Sequence, residues 1–255
     1  MNNKTTIAAL SASLLLSQVA IAKELAGSKF TASKVNTPIV IDGVIDKQWQ
    51  DRAWFPMNQH ILGQKVSKQD FDGRFKLAWD NSYLYLLAEI QDDVLFDQHA
   101  NPLDFYWDDD CLEVFLDEDA SGGEHQYNYN AFAYHVALDN QVVDIGEKTT
   151  QNPAPFLTLN DHINSRWQRS EVAPHKVVWE LAIKVFDDRF SPDKNVKPVK
   201  LTKGKELGFM LAYCDNDGSK HRESFIGSTE ILGVNGDKNL GYKTADVFGK
   251  LTLVK

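Results

Sequence analysis

The sequence has few of the residues on which nucleophile and cofactor chemistry depends. Its 255 residues include two cysteines and three methionines, and they contain no nucleophile elbow, no phosphate-binding glycine loop and no zinc-type spacing of cysteine and histidine. Basic residues are too few to balance acidic ones, 27 against 36, so the formal charge is −9. Such a surface repels phosphate groups and anionic lipid headgroups. We therefore expect none of the commoner enzyme classes, no nucleic-acid partner and no membrane partner.

Long hydrophobic runs are missing except at the amino terminus. Lys4 precedes an apolar block over 7–21, and Ala20 and Ala22 supply the small alternating residues that a signal peptidase accepts. The alternative, a membrane anchor, fits less well, because a helix needs about 20 apolar residues to span a bilayer. We predict a signal peptide over 1–22, a loose lead-in over 23–38 and one domain over 39–255, in a periplasmic or secreted protein.

Sustained helical periodicity is also missing, and short alternating runs fill the chain instead. Residues 75–79 alternate, and the turn 80–82 leads into a second run over 83–90, a pattern typical of a hairpin. Further runs predict strands over 112–117, 126–138, 177–185, 207–213 and 250–254, a short helix over 46–54, and long surface loops over 147–163 and 233–246. The chain is thus predicted to be all-β, a two-sheet antiparallel β-sandwich of jelly-roll or immunoglobulin-like type.

The two cysteines lie at predicted strand ends beside acidic clusters. Cys111 follows Asp108–Asp110, and Cys214 precedes Asp215–Asp217. Export would permit a disulfide. Either one bridge joins two neighbouring strands, or both residues are buried free thiols, and the sequence leaves both alternatives open.

Six segments together form a recognisable pattern. They read IDGVIDKQWQDRAW at 41–54, WDNSYLYLLAEIQDD at 79–93, WDDDCLEVFLDEDASGG at 107–123, VVWELAIKVF at 177–186, GFMLAYCDNDG at 208–218 and ADVFGKLTL at 245–253. This set resembles carbohydrate-binding module family 9, within the DOMON-like β-sandwich superfamily. The resemblance implies a noncatalytic two-sheet sandwich that holds the terminal sugar of a glucan or xylan between two aromatic rings. It also implies structural calcium in some members and association with a xylanase or similar glycoside hydrolase.

A sugar-binding site needs an aromatic plane for the C–H face of a pyranose and polar groups for its hydroxyl edge. The resemblance assigns the plane to Trp107 and a hydrogen-bonding role to Glu113. The neighbouring carboxylates of Asp108–Asp110 favour an exposed indole, since three adjacent charges are costly to bury. The second aromatic ring corresponds to Phe225, with Arg222 beside it as a hydroxyl donor.

Amide side chains add further candidates for hydrogen bonding. Gln126, Asn128 and Asn130 fall on one face of the strand predicted over 126–138, and amides both donate and accept. Asn130 best matches the family pattern. For all of the site residues a structural alternative stays open: core packing for the aromatic rings, a surface ion pair for the arginine, and solvation for the other polar groups.

Two acidic loops have the oxygen ligands that calcium prefers. One contains Asp117 and Asp119, and the other contains Asp215 and Asp217. Asp and Asn also favour turns for backbone reasons alone, which is the alternative. The sequence and the resemblance together predict structural Ca²⁺ at one or both loops.

Three other functions are considered. Hydrolysis would need two carboxyl groups roughly 5 to 10 Å apart, and the one nearby combination to test is Glu113 with Asp117, which share a strand face. Related sandwich domains hold haem through methionine with histidine or lysine. A noncatalytic scaffold that uses the same exposed aromatic face for another protein is the third. The side chains available to a haem are Met57, Met210, His60, His125, His135 and His221.

Overall fold

Fourteen β-strands and three short 3-10 turns make up the regular structure of the computed structural model, which describes residues 27–152 and 155–255. The predicted signal peptide lies outside the described residues. Within them, no helix has the length and hydrophobicity needed to cross a bilayer. The strands are β1 (Lys29–Lys34), β2 (Phe55–Met57), β3 (Gln59–Gly63), β4 (Phe71–Trp79), β5 (Leu84–Asp92), β6 (Cys111–Asp117), β7 (Phe132–Ala137), β8 (Val142–Ile145), β9 (Phe156–Thr158), β10 (Ile163–Arg169), β11 (Val177–Ile183), β12 (Glu206–Asp215), β13 (Ser224–Gly227) and β14 (Gly249–Val254).

The strands form one curled, hydrogen-bonded sheet whose two halves face each other. The order is β10-β11-β5-β4-β1-β14-β12-β6-β7-β8-β9, with β2 beside β4, and with β13 between β12 and β3. This arrangement confirms the predicted all-β sandwich. One strand departs from the antiparallel pattern, because β1 pairs in parallel with both β14 and β4. The predicted hairpin is present as β4 and β5.

The predicted loose lead-in contains β1, so its description as loose was wrong. Phe30 and Ala32 are buried in the main core, and the strand joins the two halves of the sheet. The segment is rich in Lys, Ser and Thr, and only these two alternate positions point inward. Two alternating apolar residues are too short a pattern to distinguish a strand from an irregular segment.

The main core fills the space between the two halves of the sheet. Both halves contribute large apolar side chains that are almost completely buried, as expected for facing layers of a sandwich. They include Trp79, Leu86, Trp179, Leu112, Tyr134 and Phe209.

A second core covers the outer face of β6, β7 and β12. Leu112, Val114 and Leu116 of β6 point into the main core, whereas Cys111 and Phe115 point to the outer face. That face is closed by the chain segment 225–248, so all seven residues of β6 are buried. The prediction of a half-buried β6 was therefore wrong. A polar side chain on the outer face of β6 therefore needs a hydrogen-bond or ion-pair partner, because burying it without one is costly.

The long strand predicted over 126–138 is shorter in the structure. Only Phe132–Ala137 forms a strand, while 126–131 makes turns. The side chain of Asn128 accepts a hydrogen bond of 2.8 Å from the backbone N–H of Asn130, which is the turn chemistry that asparagine favours. The three amides predicted to share one strand face therefore lie on a loop.

Candidate functional site

A cavity of about 300 Å³ opens on the outer face of the half-sheet that contains β6, β7 and β8. This volume lies at the lower end of the range for small-molecule sites. The lining combines aromatic rings with polar groups, and both long loops predicted from the sequence contribute to it. The lining residues are Tyr106, Trp107, Glu113, Gln126, Tyr127, Ala133, His135, Asp144, Ile145, Pro155, Phe156, Arg222, Asn239 and Tyr242.

Trp107 lies at the cavity on a 3-10 turn, Tyr106–Asp108. Its side chain is half-buried. The ring contacts Tyr106 edge-on at a centroid distance of 5.0 Å and Phe156 at 5.8 Å. These neighbours fix the orientation of the indole while it still borders the cavity. This placement is compatible with the predicted stacking role of Trp107.

The carboxylates of Asp108–Asp110 are buried, so the argument that their charge favours an exposed indole at Trp107 was wrong. Each accepts hydrogen bonds from backbone N–H groups, which offset the cost of burial. Asp108 accepts from Arg222 at 3.1 Å, Asp109 from Gln98 at 2.9 Å, and Asp110 from Asn216 at 2.8 Å. These bonds fasten two loops together and thereby position Trp107 and Arg222.

Glu113 is 3 % exposed and lies at the floor of the cavity. Its Oε1 atom lies 2.7 Å from His135 Nε2 and 3.1 Å from Arg222 Nη1, and it accepts a bond of 3.2 Å from Cys214 Sγ. Burial raises the pKa of Glu113, but the charges of His135 and Arg222 outweigh burial and hold the pKa below its usual value. Glu113 is therefore an ionised acceptor at neutral pH, and its observed contacts all use Oε1.

The two cysteines are buried free thiols in the structure. Cys111 on β6 lies directly opposite Cys214 on β12. Burial raises the pKa of Cys214, but the hydrogen bond from Cys111 and the charge of Arg222 lower it to about 7 overall. Of the two alternatives that the sequence left open, the structure has the free thiols.

Phe225 is not placed at the cavity, so its assignment as the second stacking ring is corrected. The ring is 1 % exposed and packs in the second core. The guanidinium of Arg222 lies 4.3 Å from its centroid, so Phe225 supports the arginine instead of a sugar. Arg222 does line the cavity, with a side chain that is 9 % exposed.

Asn130 is likewise not part of the cavity lining. Its side chain donates a 2.7 Å hydrogen bond to the carbonyl of Gly122, so it stabilises a loop. Gln126, four residues earlier, lines the cavity instead.

Several lining residues were not singled out in the sequence, and two of them, Asn239 and Tyr242, carry groups suited to a sugar. Tyr242 supplies a half-buried aromatic ring, and Asn239 supplies an amide. Both lie in the irregular stretch 233–246. The unusual length of this loop was the one signal that pointed to them.

The predicted calcium ligands fall into two groups with different surroundings. The carboxylate of Asp117 accepts from the N–H groups of Asp119 and Gly122, at 3.2 and 2.8 Å, which is a turn arrangement. Asp215 and Asp217 come together with Asp70, and their ligand oxygens lie within 4.8 Å of one another. Only the second group collects three carboxylates.

The alternative functions find little support in the described residues. Asp117 is tied to its turn and does not line the cavity, so it forms no carboxyl pair with Glu113 there. Met57 and Met210 are buried in the main and second cores. Neither methionine faces a cavity that could hold a haem.

Comparison with known proteins places most of the folded region in one family. The family model "Carbohydrate family 9 binding domain-like" matches residues 41–255. Endo-1,4-beta-xylanase A of Thermotoga maritima is 32% identical over 232 residues, which is 91% of this chain and 18% of that protein. Exoglucanase XynX of Acetivibrio thermocellus is 31% identical over 185 residues, 72% of this chain and 15% of that protein. The chain thus spans less than a fifth of the length of these curated relatives.

Solved structures share the fold. A family 9 carbohydrate-binding module from Caldicellulosiruptor kristjanssonii in complex with glucose has a TM-score of 0.61 and 21% identity, covering 89% of this chain and 95% of that one. The same kind of module in complex with cellotriose has a TM-score of 0.62 and 21% identity, covering 89% and 94%.

Proposed function

Because the chain belongs to the family 9 carbohydrate-binding domains, we propose that it captures the end of a glucan-type or xylan-type saccharide in the cavity beside Trp107. Domains of this family bind carbohydrate and are noncatalytic. The observation that supports the proposal most is the composition of the cavity. It combines aromatic rings with amide, guanidinium and carboxylate groups in one concave site.

The cavity has the two kinds of contact that a pyranose requires. Trp107 and Tyr242 supply ring faces for the C–H side of the sugar. Gln126, Asn239 and Arg222 supply donors and acceptors for the hydroxyl edge. A volume near 300 Å³ favours one or two sugar units at a chain end over a long stretch of polymer.

The class of ligand is inferred from the relatives. The Caldicellulosiruptor modules are complexes with glucose and cellotriose, and the curated relatives are a xylanase and an exoglucanase. We therefore rank β-glucan ends first and xylan ends second.

Titration calorimetry with glucose, cellotriose and xylotriose tests the proposal. We expect cellotriose to bind with a dissociation constant in the micromolar to millimolar range, because exposed polar recognition is offset by desolvation. Glucose should retain much of the affinity if a single terminal unit occupies the cavity. Galactose, which differs from glucose by one inverted hydroxyl, is the control and should bind more weakly than glucose. If no saccharide gives heat in the titrations and a broad glycan array shows no binding, carbohydrate capture is refuted and the scaffold alternative is favoured.

The setting of this activity is part of the proposal. The apolar block over 7–21 supports export to the periplasm or medium. The xylanase relatives support a separate glycoside hydrolase as a partner that acts on the captured saccharide. Recovery of the mature protein from the periplasmic fraction, cleaved after Ala22, would test the export step.

A structural calcium ion is proposed at Asp70, Asp215 and Asp217. Asp215 is 3 % exposed, and its Oδ1 atom has no hydrogen-bond partner among the described residues. Burial, followed by the charges of neighbouring carboxylates that include Asp70 and Asp217, raises the pKa of Asp215 to about 8. A hard divalent cation would neutralise this repulsion and satisfy the oxygen, so the residues fit calcium. These three side chains would hold the ion and so fasten the loop after β12.

Calcium is expected to raise the thermal stability of the metal-free protein. At a concentration about 100 times the dissociation constant, linkage gives about 2.7 kcal/mol, or roughly 5 to 10 °C for a domain of this size. Asp217→Asn should abolish most of this shift, and in EDTA it should leave the melting temperature unchanged or higher, because it removes a repelling charge. Scanning calorimetry measures both.

The matched control is Asp119→Asn, in the other acidic loop. It should keep the full calcium shift, since its neighbourhood is explained by turn hydrogen bonds. A calcium shift that is lost in Asp119→Asn and kept in Asp217→Asn would place the ion at the other loop and contradict the assignment.

A further inference from the structure

Four potential metal ligands gather beneath the floor of the cavity, apart from the acidic loops. Cys111, Glu113, His135 and Cys214 are each at least nine-tenths buried, and their ligand atoms all lie within 4.8 Å of one another. Strand pairing brings them together. Cys111 lies opposite Cys214, Glu113 lies opposite His135, and the two β6 residues are separated by one position, so all four side chains share the outer face.

The imidazole of His135 has the arrangement of a metal ligand. Its Nδ1 atom lies 3.3 Å from the carbonyl of Ala133, where an Nδ1–H group donates to the backbone. In the metal-free protein Nε2 carries the proton of the ion pair with Glu113. A metal ion would displace that proton, and the Nδ1–H bond would then hold the tautomer that ligating histidines use. Nε2 makes no hydrogen bond of acceptable geometry with the described residues, although Oε1 of Glu113 lies 2.7 Å away. Nε2 thus faces the other three side chains and lies against the Glu113 carboxylate, where a metal ion would take the place of the proton.

The charge around the cluster suits a divalent ion. Two thiolates and one carboxylate would carry three negative charges, and a divalent cation with the guanidinium of Arg222 would carry three positive ones. Arg222 Nη1 lies 3.1 Å from Cys214 Sγ and 3.1 Å from Glu113 Oε1. A charged donor at a ligating sulfur is the outer-shell support that metal sites use. Because these charges sum to zero, the electrostatic cost of burying the site is reduced.

The ligand types select the metal. Two sulfurs and an imidazole nitrogen are poor ligands for calcium or magnesium and good ones for zinc and its neighbours. Four protein ligands leave no open coordination position in a tetrahedral site, which is typical of a structural role. We propose that Cys111, Glu113, His135 and Cys214 bind one zinc ion beneath the floor of the cavity. The proposal does not depend on carbohydrate binding.

Cobalt substitution tests the proposal directly. The untagged protein is reduced, stripped of metal under anaerobic conditions and titrated with Co²⁺. We expect a sulfur-to-cobalt charge-transfer band in the near ultraviolet and tetrahedral d–d bands in the visible, both saturating at one equivalent and both abolished by Zn²⁺. X-ray absorption of the zinc form should give sulfur neighbours at about 2.3 Å together with nitrogen or oxygen at about 2.0 Å.

Variants assign the ligands. Cys214→Ser and His135→Ala should each weaken zinc by more than the roughly 10- to 100-fold that outer-shell changes cost, and Cys214→Ser should reduce the charge-transfer intensity. Asp217→Asn, in the acidic loop, is the matched control and should leave the cobalt spectrum unchanged. The absorption experiment on the unmodified protein decides the question even if a cysteine variant fails to fold.

Three results would overturn the proposal. Reduced protein that shows no sulfur-to-cobalt band, or a zinc first shell made only of oxygen and nitrogen, would mean that the thiols bind no metal. A disulfide between Cys111 and Cys214 in the isolated protein, with no zinc uptake after reduction, would make the pair a simple redox-active dithiol. Saccharide titrations on the same samples keep this outcome separate from a failure of the carbohydrate proposal.

Discussion

Trp107→Ala is expected to lower the affinity for cellotriose by at least about 30-fold while leaving the fold intact. Truncation of a central aromatic anchor costs about 2 kcal/mol or more, and this figure corresponds to that ratio. The indole is half-buried and borders the cavity. Its loss therefore removes a stacking face without opening the main core. Titration calorimetry gives the affinity, and circular dichroism monitors the fold.

Two controls isolate the effect. Trp54→Ala removes another half-buried indole, which packs on Arg74 away from the cavity, and should leave cellotriose binding unchanged. Asn130→Ala should also leave binding unchanged, since its amide stabilises a loop. Tyr242→Ala should resemble Trp107→Ala. Unaltered affinity in a folded Trp107→Ala protein would remove this ring from the site.

Glu113→Ala is expected to have the largest effect on stability. Removing one member of a buried ion pair costs about 3 to 5 kcal/mol, because the remaining charge is left without a partner. Here Arg222 and His135 both lose the carboxylate at Oε1. The melting temperature of the metal-free protein should fall by roughly 10 °C, and cellotriose binding should weaken as Arg222 loses its position.

The comparison for this prediction is Glu89→Ala. Glu89 forms ion pairs with Arg74 and Lys176, whose side chains are 47% and 42% exposed, and such pairs contribute about 1 kcal/mol or less. Urea unfolding of both variants measures the difference. Equal losses would mean that the buried network at the cavity has no special stabilising role.

The sequence predicted the strands in which apolar and polar residues alternate. It did not predict the burial of residues that are covered by segments distant in sequence. The alternation in β4 and β5 was enough to predict their hairpin. The burial of Phe225 could not be predicted, because its ring is covered by segment 231–248 and packs beneath Arg222. The prediction for Asn130 was wrong for a different reason. The Asn128 side chain accepts a hydrogen bond from the Asn130 backbone, and this turn replaces the first part of the predicted strand.

In the candidate site too, residues close together in sequence were predicted and residues brought in by distant loops were not. Trp107 and Glu113 lie close together in sequence and were found by pattern. Tyr242 lies in a loop whose path depends on tertiary contacts, and only the loop length indicated it. The cysteine and histidine ligands have no zinc-type spacing because three separate strands supply them.

The position of β1 bears on how the chain folds. Lys29 pairs with Lys250, and the same strand also pairs with β4. The link between the two layers thus waits for residues more than two hundred positions away, and such distant contacts slow folding. The hairpin of β4 and β5 needs only neighbouring residues, whereas the seam between β1 and β14 closes only when β14 is available. Until then, the edge of β1 at the seam stays unpaired.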